Sequence, residues 1–383
     1  MTMSGKSPVL IYRDTLLPRS ETFVLLQGER LRTHEAWYVG TKAVAGLRTP
    51  PERTCLLFGH SRLETAKRAA FKLFGCIGER RLREILAIRP SLIHGHFGTS
   101  VQEVSVIARR LNIPYVVTVH GFEAALKSRN CVRSTGLWGY ALRGRPAYLS
   151  AGSIIAVSEF IRSQLIDMGI PKGRIIRHYI GVDVDGVSVR SRIDRQNKIL
   201  FVGRMVEKKG VEYLLSAVKL LHARKIPVGT VIVGDGPLLP NIMRIAQEIQ
   251  GVEIRGPQDH SSVLREMETA RILCVPSVTA RNGDTEGLPT VIMEAFARGT
   301  PVVAFRHAGI PEIVDDEDSG LLYGERDIDG LADGLSRLIT DDVLWDLLSR
   351  GARSAAETRF NMRIQSEALE TIYSEQTGSL RGT

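Results

Sequence analysis

A chain of 383 residues exceeds what one ordinary hydrophobic core organises, so two domains are expected. Its 43% hydrophobic and 24% charged residues suit a globular protein, and no apolar run approaches the ~20 residues of a membrane-spanning helix or forms a signal-peptide core. The net charge of +9 is unevenly placed: residues 1–180 hold 27 Lys and Arg against 12 Asp and Glu, the remainder 24 against 30, unlike an evenly basic nucleic-acid binder.

Short β-branched runs alternate with helical patterns along the chain, the mark of parallel α/β units. The first half offers strands at Val9–Tyr12, Ala36–Val39, Leu92–His96, Tyr115–Val119, Ile154–Val157 and Ile175–Ile176. The second offers Ile199–Val202, Thr230–Val233, Val252–Arg255, Ile272–Val275, Pro301–Phe305 and Leu321–Tyr323. Helices are expected at Val211–Arg224, Leu239–Gln250, Ser262–Ala270 and Met362–Tyr373. Polar residues without helical periodicity near 181–197 suggest a linker there. The domains are therefore 1–182, a linker 183–197, 198–360, and a C-terminal helix and tail, 361–383, packing back on the first domain. The scattered Cys55, Cys76, Cys131 and Cys274 lack metal-type spacing and read as reduced, buried thiols of a cytoplasmic protein.

Open α/β sheets bind ligands at the carboxyl ends of their strands, and the polar motifs fall just there. Strand Ile199–Val202 runs into Gly203-Arg204-Met205-Val206-Glu207-Lys208-Lys209-Gly210. Arg204 and Lys209 are a cation pair suited to a diphosphate, or else two solvated loop cations. The segment lacks Walker A spacing. Further on, Glu286-Gly287-Leu288-Pro289-Thr290 leads into an apolar helical run, Val291–Arg298, whose first position suits Pro289. Free backbone N–H groups at its start, around Leu288 and Thr290, suit a phosphate. Glu294, among Ile292, Met293, Ala295 and Phe296, needs a partner: ribose hydroxyls, or a nearby Arg.

Glu286-x7-Glu294 after Pro276-Ser277, with the GR-x4-KG of 203–210 upstream, resembles glycosyltransferase family 4, a retaining GT-B family. Val233-Gly234-Asp235-Gly236-Pro237, Gly309-Ile310-Pro311-Glu312-Ile313-Val314 and Gly320-Leu321-Leu322 follow the family's order, so the similarity spans roughly 197–360. The resemblance implies two Rossmann-like parallel-sheet domains facing a central cleft. It implies that Arg204 and Lys209, with Leu288 and Thr290, hold the donor diphosphate, Glu294 the ribose, and Glu286 the donor-sugar hydroxyls. The loop at Gly256, Pro257 and Gln258 would meet the base. Gly234–Pro237 reads more simply as a tight turn.

In the first half, Tyr115–Val119 ends in His120, where the family commonly has a His near the donor sugar and acceptor; a structural His is the alternative. His94-Gly95-His96-Phe97-Gly98 ends another strand; His96 reads as a lining residue on the acceptor side, and no third metal ligand accompanies the pair. Ser20 suits an N-cap for the helix after it, with Glu21 and Thr22 contacting acceptor or only capping. This Ser-Glu-Thr-Phe version of the first loop is similar to an exopolysaccharide and lipopolysaccharide branch of the family. Asp183-Val184-Asp185 imitates a metal-binding D-x-D motif, but falls in the expected linker.

Residues 53–89 carry nine Lys and Arg against three Asp and Glu, with Leu63, Phe71, Phe74 and Ile77 interspersed. Such a segment suits an anionic membrane surface, or a core-packing helix with a solvated basic face. The expected partners are a nucleotide-sugar donor and a saccharide or polyprenyl-linked saccharide acceptor. No cofactor, metal or nucleic acid is called for. The expected activity is retaining sugar transfer in surface-polysaccharide synthesis, at the inner face of the cytoplasmic membrane. The rival readings are a nucleotide-sugar epimerase on the same fold and a basic nucleic-acid-binding protein.

Overall fold

The apolar runs fold into two separate parallel sheets, each inside its own unit. The computed structural model describes residues 5–121 and 138–378. One unit holds Met1–Tyr179 with Arg363–Thr383, the other Ile180–Met362. The first sheet contains β1 (Ser7–Tyr12), β2 (His34–Gly40), β3 (Thr54–Leu56), β4 (Leu92–His96), β5 (Tyr115–Val119), β6 (Ser153–Ala156) and β7 (Ile175–Arg177). Its order is β3-β2-β1-β4-β5-β6-β7, parallel throughout.

The second sheet contains β8 (Gln196–Val202), β9 (Gly229–Val233), β10 (Val252–Ile254), β11 (Ala270–Val275), β12 (Val302–Phe305) and β13 (Gly320–Tyr323), in the order β10-β9-β8-β11-β12-β13. Both are doubly wound sheets whose order reverses beside the first strand, so each unit has a switch point at its carboxyl edge. The registers are equivalent: Leu10 lies opposite Trp37 and Ile93, and Leu200 opposite Val231 and Leu273. Both faces are covered, which is why β4, β5 and β11 are buried along their whole length.

Local chemistry sets many helix ends. Ser61 caps Arg62–Phe74 by accepting from the Glu64 amide at 3.2 Å, and left-handed Gly75 stops it. Asp259 caps His260–Thr269 through the Ser262 amide at 2.9 Å. The helix Thr22–Glu29 departs from expectation: its N-cap is Glu21 rather than Ser20, and no side chain caps it. The Glu21 carboxylate is instead bound elsewhere.

The segment 183–197, read in the sequence as a linker, lies within the second unit, which begins at Ile180. Arg195 there is buried, and its guanidinium donates to the carbonyls of Met267, Ala270 and Arg298 and to the Thr300 hydroxyl. The helix Met362–Gly378 belongs from Arg363 onward to the first unit, where Leu369, Ile372 and Tyr373 join the core with Val9, Ile11 and Val116. Glu370 on that helix accepts from the backbone amides of Arg32, Thr33 and His34 at 2.8–3.0 Å. Cys274 is buried as expected, but Cys55 is half-buried and Cys76 exposed; Cys131 lies outside the described residues.

Candidate functional site

At the carboxyl end of β8, the loop Gly203–Gly210 is held by its neighbours. The Met205 amide donates to the Asp235 carbonyl at 2.8 Å, and the Val278 amide to the Lys208 carbonyl at 2.8 Å. Two glycines permit the approach. A Cβ on Gly210, at φ +65°, would stand 1.8 Å from the Pro276 carbonyl oxygen, and one on Gly234, at φ +140°, 1.9 Å from that of Gly203. The Gly234–Pro237 turn therefore serves as a close packing joint. Beside it, the Gly234 amide donates to the Gly256 carbonyl at 2.9 Å, which sets the Gly256-Pro257-Gln258 loop next along the same edge. The Gln258 amide group is turned back to the Arg255 carbonyl at 2.8 Å.

The two charged motifs, 77 residues apart in sequence, meet. Lys209 Nζ lies 3.1 Å from Glu286 Oε1, and Lys208 Nζ 4.0 Å from it. Lys208 is also anchored to Asp284 and to the Thr285 carbonyl, both at 3.0 Å. Burial pushes the Glu286 carboxyl up, but the two lysines outweigh it and leave it below its ordinary range, hence ionised at neutral pH. Arg204 is exposed and, among the described residues, its guanidinium has no hydrogen bond or ion pair. The following helix is Thr290–Phe296; Pro289 is its N-cap rather than its first residue, so the helix starts one residue later than the sequence suggests, and Leu288 is buried before it. Glu294 on that helix accepts from His260 Nε2 at 2.9 Å, so its partner in the protein is a histidine, not the arginine considered from sequence.

His307 lies behind Glu286. The Glu286 amide donates to His307 Nε2 at 3.2 Å, so a neutral imidazole carries its proton on Nδ1 and donates to Glu325 Oε1 at 2.5 Å. Glu325 also accepts from the Thr279 amide at 3.1 Å. This buried histidine and its carboxylate hold the Glu286 backbone in place, and sequence reading passed over both. A His two residues after an apolar strand, β12, was the available signal.

In the first unit, the carboxyl edge is built from histidines and aromatic rings. His96 and His120, ending β4 and following β5, stack at 5.4 Å with His96 Nδ1 3.1 Å from His120 Nε2. Phe97 and Phe23 pack on the His120 ring at 4.5 and 5.0 Å. Burial pushes His120 down to about 3, with His94 and Arg13 adding to it, so it is neutral across the physiological range. His94 is a buried structural residue: its Nδ1 lies 2.6 Å from the Tyr373 hydroxyl and its Nε2 2.7 Å from Thr118 Oγ1. Glu21 is taken by Arg13 in a bidentate pair at 2.8–3.1 Å, and Arg13 lies over the Phe97 ring at 4.1 Å. Thr22 opens the helix beside it. Phe122 and Glu123 lie outside the described residues.

Comparison with known proteins decides the class. Residues 46–185 match the family described as Glycosyltransferase Family 4, and residues 196–341 the one described as Glycosyl transferases group 1. The chain is a family 4 glycosyltransferase. Its relatives include the colanic acid biosynthesis glycosyltransferase WcaL of Escherichia coli, 27% identical over 92% of this chain and 91% of that one. Another is the amylovoran biosynthesis glycosyltransferase AmsK of Erwinia amylovora, 31% identical over 57% and 55%. Anabaena HepE in complex with UDP-glucose shares the GT-B fold with a TM-score of 0.76, 17% identity and coverage of 96% and 99%. These matches do not favour the epimerase or nucleic-acid-binding readings.

Within the transferase, the basic stretch 53–89 divides. Phe71 and Ile77 are buried, whereas Leu63 and Phe74 are 64% and 73% exposed. Lys72 is paired with Asp14 at 2.6 Å. Among the described residues, no group of three or more His, Cys, Asp or Glu is placed to hold a metal ion, and no helix is long and apolar enough to cross a membrane.

Proposed function

We propose that this transferase moves a sugar from a UDP- or GDP-sugar to a polyprenyl-linked saccharide, with retention at the anomeric carbon, in the synthesis of a surface polysaccharide. One observation carries the reading: the cationic loop of Arg204 and Lys209 meets an ionised, buried glutamate, Glu286, at the switch point of the second sheet. The names of the relatives support it, since two belong to colanic acid and amylovoran biosynthesis, as does the UDP-glucose held by Anabaena HepE.

In this reading, Arg204 and Lys209 bind the donor diphosphate with the amides around Leu288 and Thr290. As the bond from the anomeric carbon to the phosphate oxygen breaks, the same cations stabilise the charge gained by the leaving group. The acceptor oxygen bonds to that carbon on the face the nucleotide leaves, and the departing phosphate takes the acceptor proton. Glu286 receives donor-sugar hydroxyls, Glu294 the ribose, and the backbone at Gly256, Pro257 and Gln258 the base. His120, being neutral, offers a hydrogen bond rather than a charge, with His96 stacked behind it. Glu21, locked to Arg13, acts on the acceptor side chiefly by shaping the loop before Thr22. The reaction needs no cofactor in this scheme. Leu63 and Phe74, with Arg62 and Lys67, form the side that rests on an anionic inner membrane face.

A thermal-shift panel with UDP, GDP and ADP and their sugars tests the donor assignment. A selective rise with one nucleotide, lost in Arg204→Ala and Lys209→Ala, is expected. No shift with any nucleotide would remove the assignment. Replacing Leu63 and Phe74 by Ser should weaken binding to phosphatidylglycerol vesicles, and unchanged binding would reject the membrane role.

A further inference from the structure

A cavity of about 320 Å³ opens in the first unit between the ends of β1 and β2 and the helix Arg62–Phe74. Its volume is at the small end of the range for ligand sites. Asp14 and Thr41 line it from just beyond the strands, with Lys42 beside them; Thr65, Arg68 and Lys72 line it from one helix face. The carboxyl ends of neighbouring parallel strands are the usual place for a ligand in such a sheet.

Three features make it a built site. The floor is fixed: Lys72 Nζ bonds Asp14 Oδ2 at 2.6 Å, and Thr41 Oγ1 bonds Asp14 Oδ1 at 2.5 Å. Behind Lys72, at 3.8 Å, lies Glu103, 1% exposed, with neither carboxyl oxygen hydrogen-bonded among the described residues. Burial, with Asp14 next, pushes Glu103 up to about 8 against the pull of Lys72, Arg13 and Arg143, so near neutral pH it holds a proton and adds no second negative charge beside Asp14. Finally, the Lys42 and Arg68 side chains have no hydrogen bond or ion pair among the described residues. The lining thus presents three cations against one carboxylate, with two of the cations unspent.

We propose that this cavity binds an acidic sugar of the acceptor, its carboxylate or phosphate taken by Lys42 and Arg68 and its hydroxyls by Asp14 and Thr41. This rests on the assignment of the acceptor to the first unit and adds the class of acceptor: an anionic saccharide. A solvated basic helix face accounts for Lys67, which reaches back to Glu64 at 2.8 Å, but not for a cavity with a fixed polar floor.

The test measures binding of glucuronate, glucose 1-phosphate, neutral glucose and inorganic phosphate to the full chain by ligand-observed NMR, with UDP present at saturation. At least one acidic sugar should bind at least tenfold more tightly than glucose. That preference should vanish in Lys42→Gln/Arg68→Gln, whose circular dichroism and melting temperature report its fold. Equal binding of glucose and the acidic sugars, or a preference that survives the double substitution, would overturn the proposal. So would inorganic phosphate binding as tightly as glucose 1-phosphate, or phosphatidylglycerol vesicles alone depending on Lys42 and Arg68, since either makes the feature a bare anion or lipid-headgroup site. UDP binding is scored separately: its failure strikes the donor assignment and leaves the sugar preference standing.

Discussion

The two units share a strand order, yet their carboxyl edges carry opposite kinds of chemistry. In the second, Lys208, Lys209, Glu286 and an unpaired Arg204 keep formal charge at the switch point. In the first, the middle of the edge, after β4 and β5, is neutral: His94, His96 and His120 are pushed down by burial and Arg13 and Glu21 are paired, while Lys42 and Arg68, cations unpaired among the described residues, stand apart, beyond β2 and on the helix Arg62–Phe74. A fold alone does not dictate a site; what the strands deliver to one edge does. A charged edge suits a leaving diphosphate, and an aromatic, neutral edge suits sugar hydroxyls.

The sharpest way to break this contrast is to remove charge from the second unit. Lys209→Ala or Arg204→Ala should lower kcat by two to three orders of magnitude, about 2.7–4 kcal/mol, if they stabilise the leaving phosphate. Turnover close to that of the unaltered enzyme would end the comparison. Glu286→Gln keeps the shape but loses the charge, and should cost about 10- to 100-fold in kcat/KM, the size of a hydrogen bond to a charged group. His307→Ala should cost less, about 1–2 kcal/mol in kcat/KM, because it frees the Glu286 amide rather than the carboxylate. Its nucleotide affinity should hold, so an equal loss of UDP binding would argue against positioning.

The next test uses pH. The Glu294 hydrogen bond outweighs desolvation and raises His260 above its ordinary value, with Arg298 lowering it and Asp183 raising it. If ribose takes Glu294, His260 loses the partner that holds its proton, and nucleotide binding releases that proton. Affinity should therefore rise, by about threefold, as pH climbs through the raised pKa, and His260→Gln should flatten the profile. A pH-independent affinity in the unaltered chain would contradict ribose at Glu294. The smallest effect is structural: Tyr373→Phe removes the hydroxyl on His94 and should cost about 1 kcal/mol, a fall of roughly 2–4 °C in melting temperature. An unchanged melting temperature would mean that this buried bond contributes nothing net.

Much of the frame was legible in the residues. β4 and β5 coincide with their apolar runs, the charged turn follows directly on β8, and Glu286 stands just before the helix Thr290–Phe296, as the sequence suggests. β3 escaped notice because three half-buried residues, Thr54–Leu56, at a sheet edge give no periodic signal. The expected linker was misread for a related reason: composition marks Arg195 as polar, but not that four acceptors from distant loops and helix ends wait for its guanidinium. Phe71 and Phe74 look alike in sequence, and only helix rotation puts one in the core and leaves the other in solvent.

Local chemistry, acting over a few residues, determined the strands, several helix caps and the cationic and acidic motifs. The pairings that make those motifs a site joined residues far apart: Lys209 to Glu286, His307 to Glu286 and Glu325, His260 to Glu294, Tyr373 to His94. Side-chain hydrogen bonds act only within about 3 Å, and proximity across dozens or hundreds of residues is set by how the strands order themselves. That part only the tertiary structure decided.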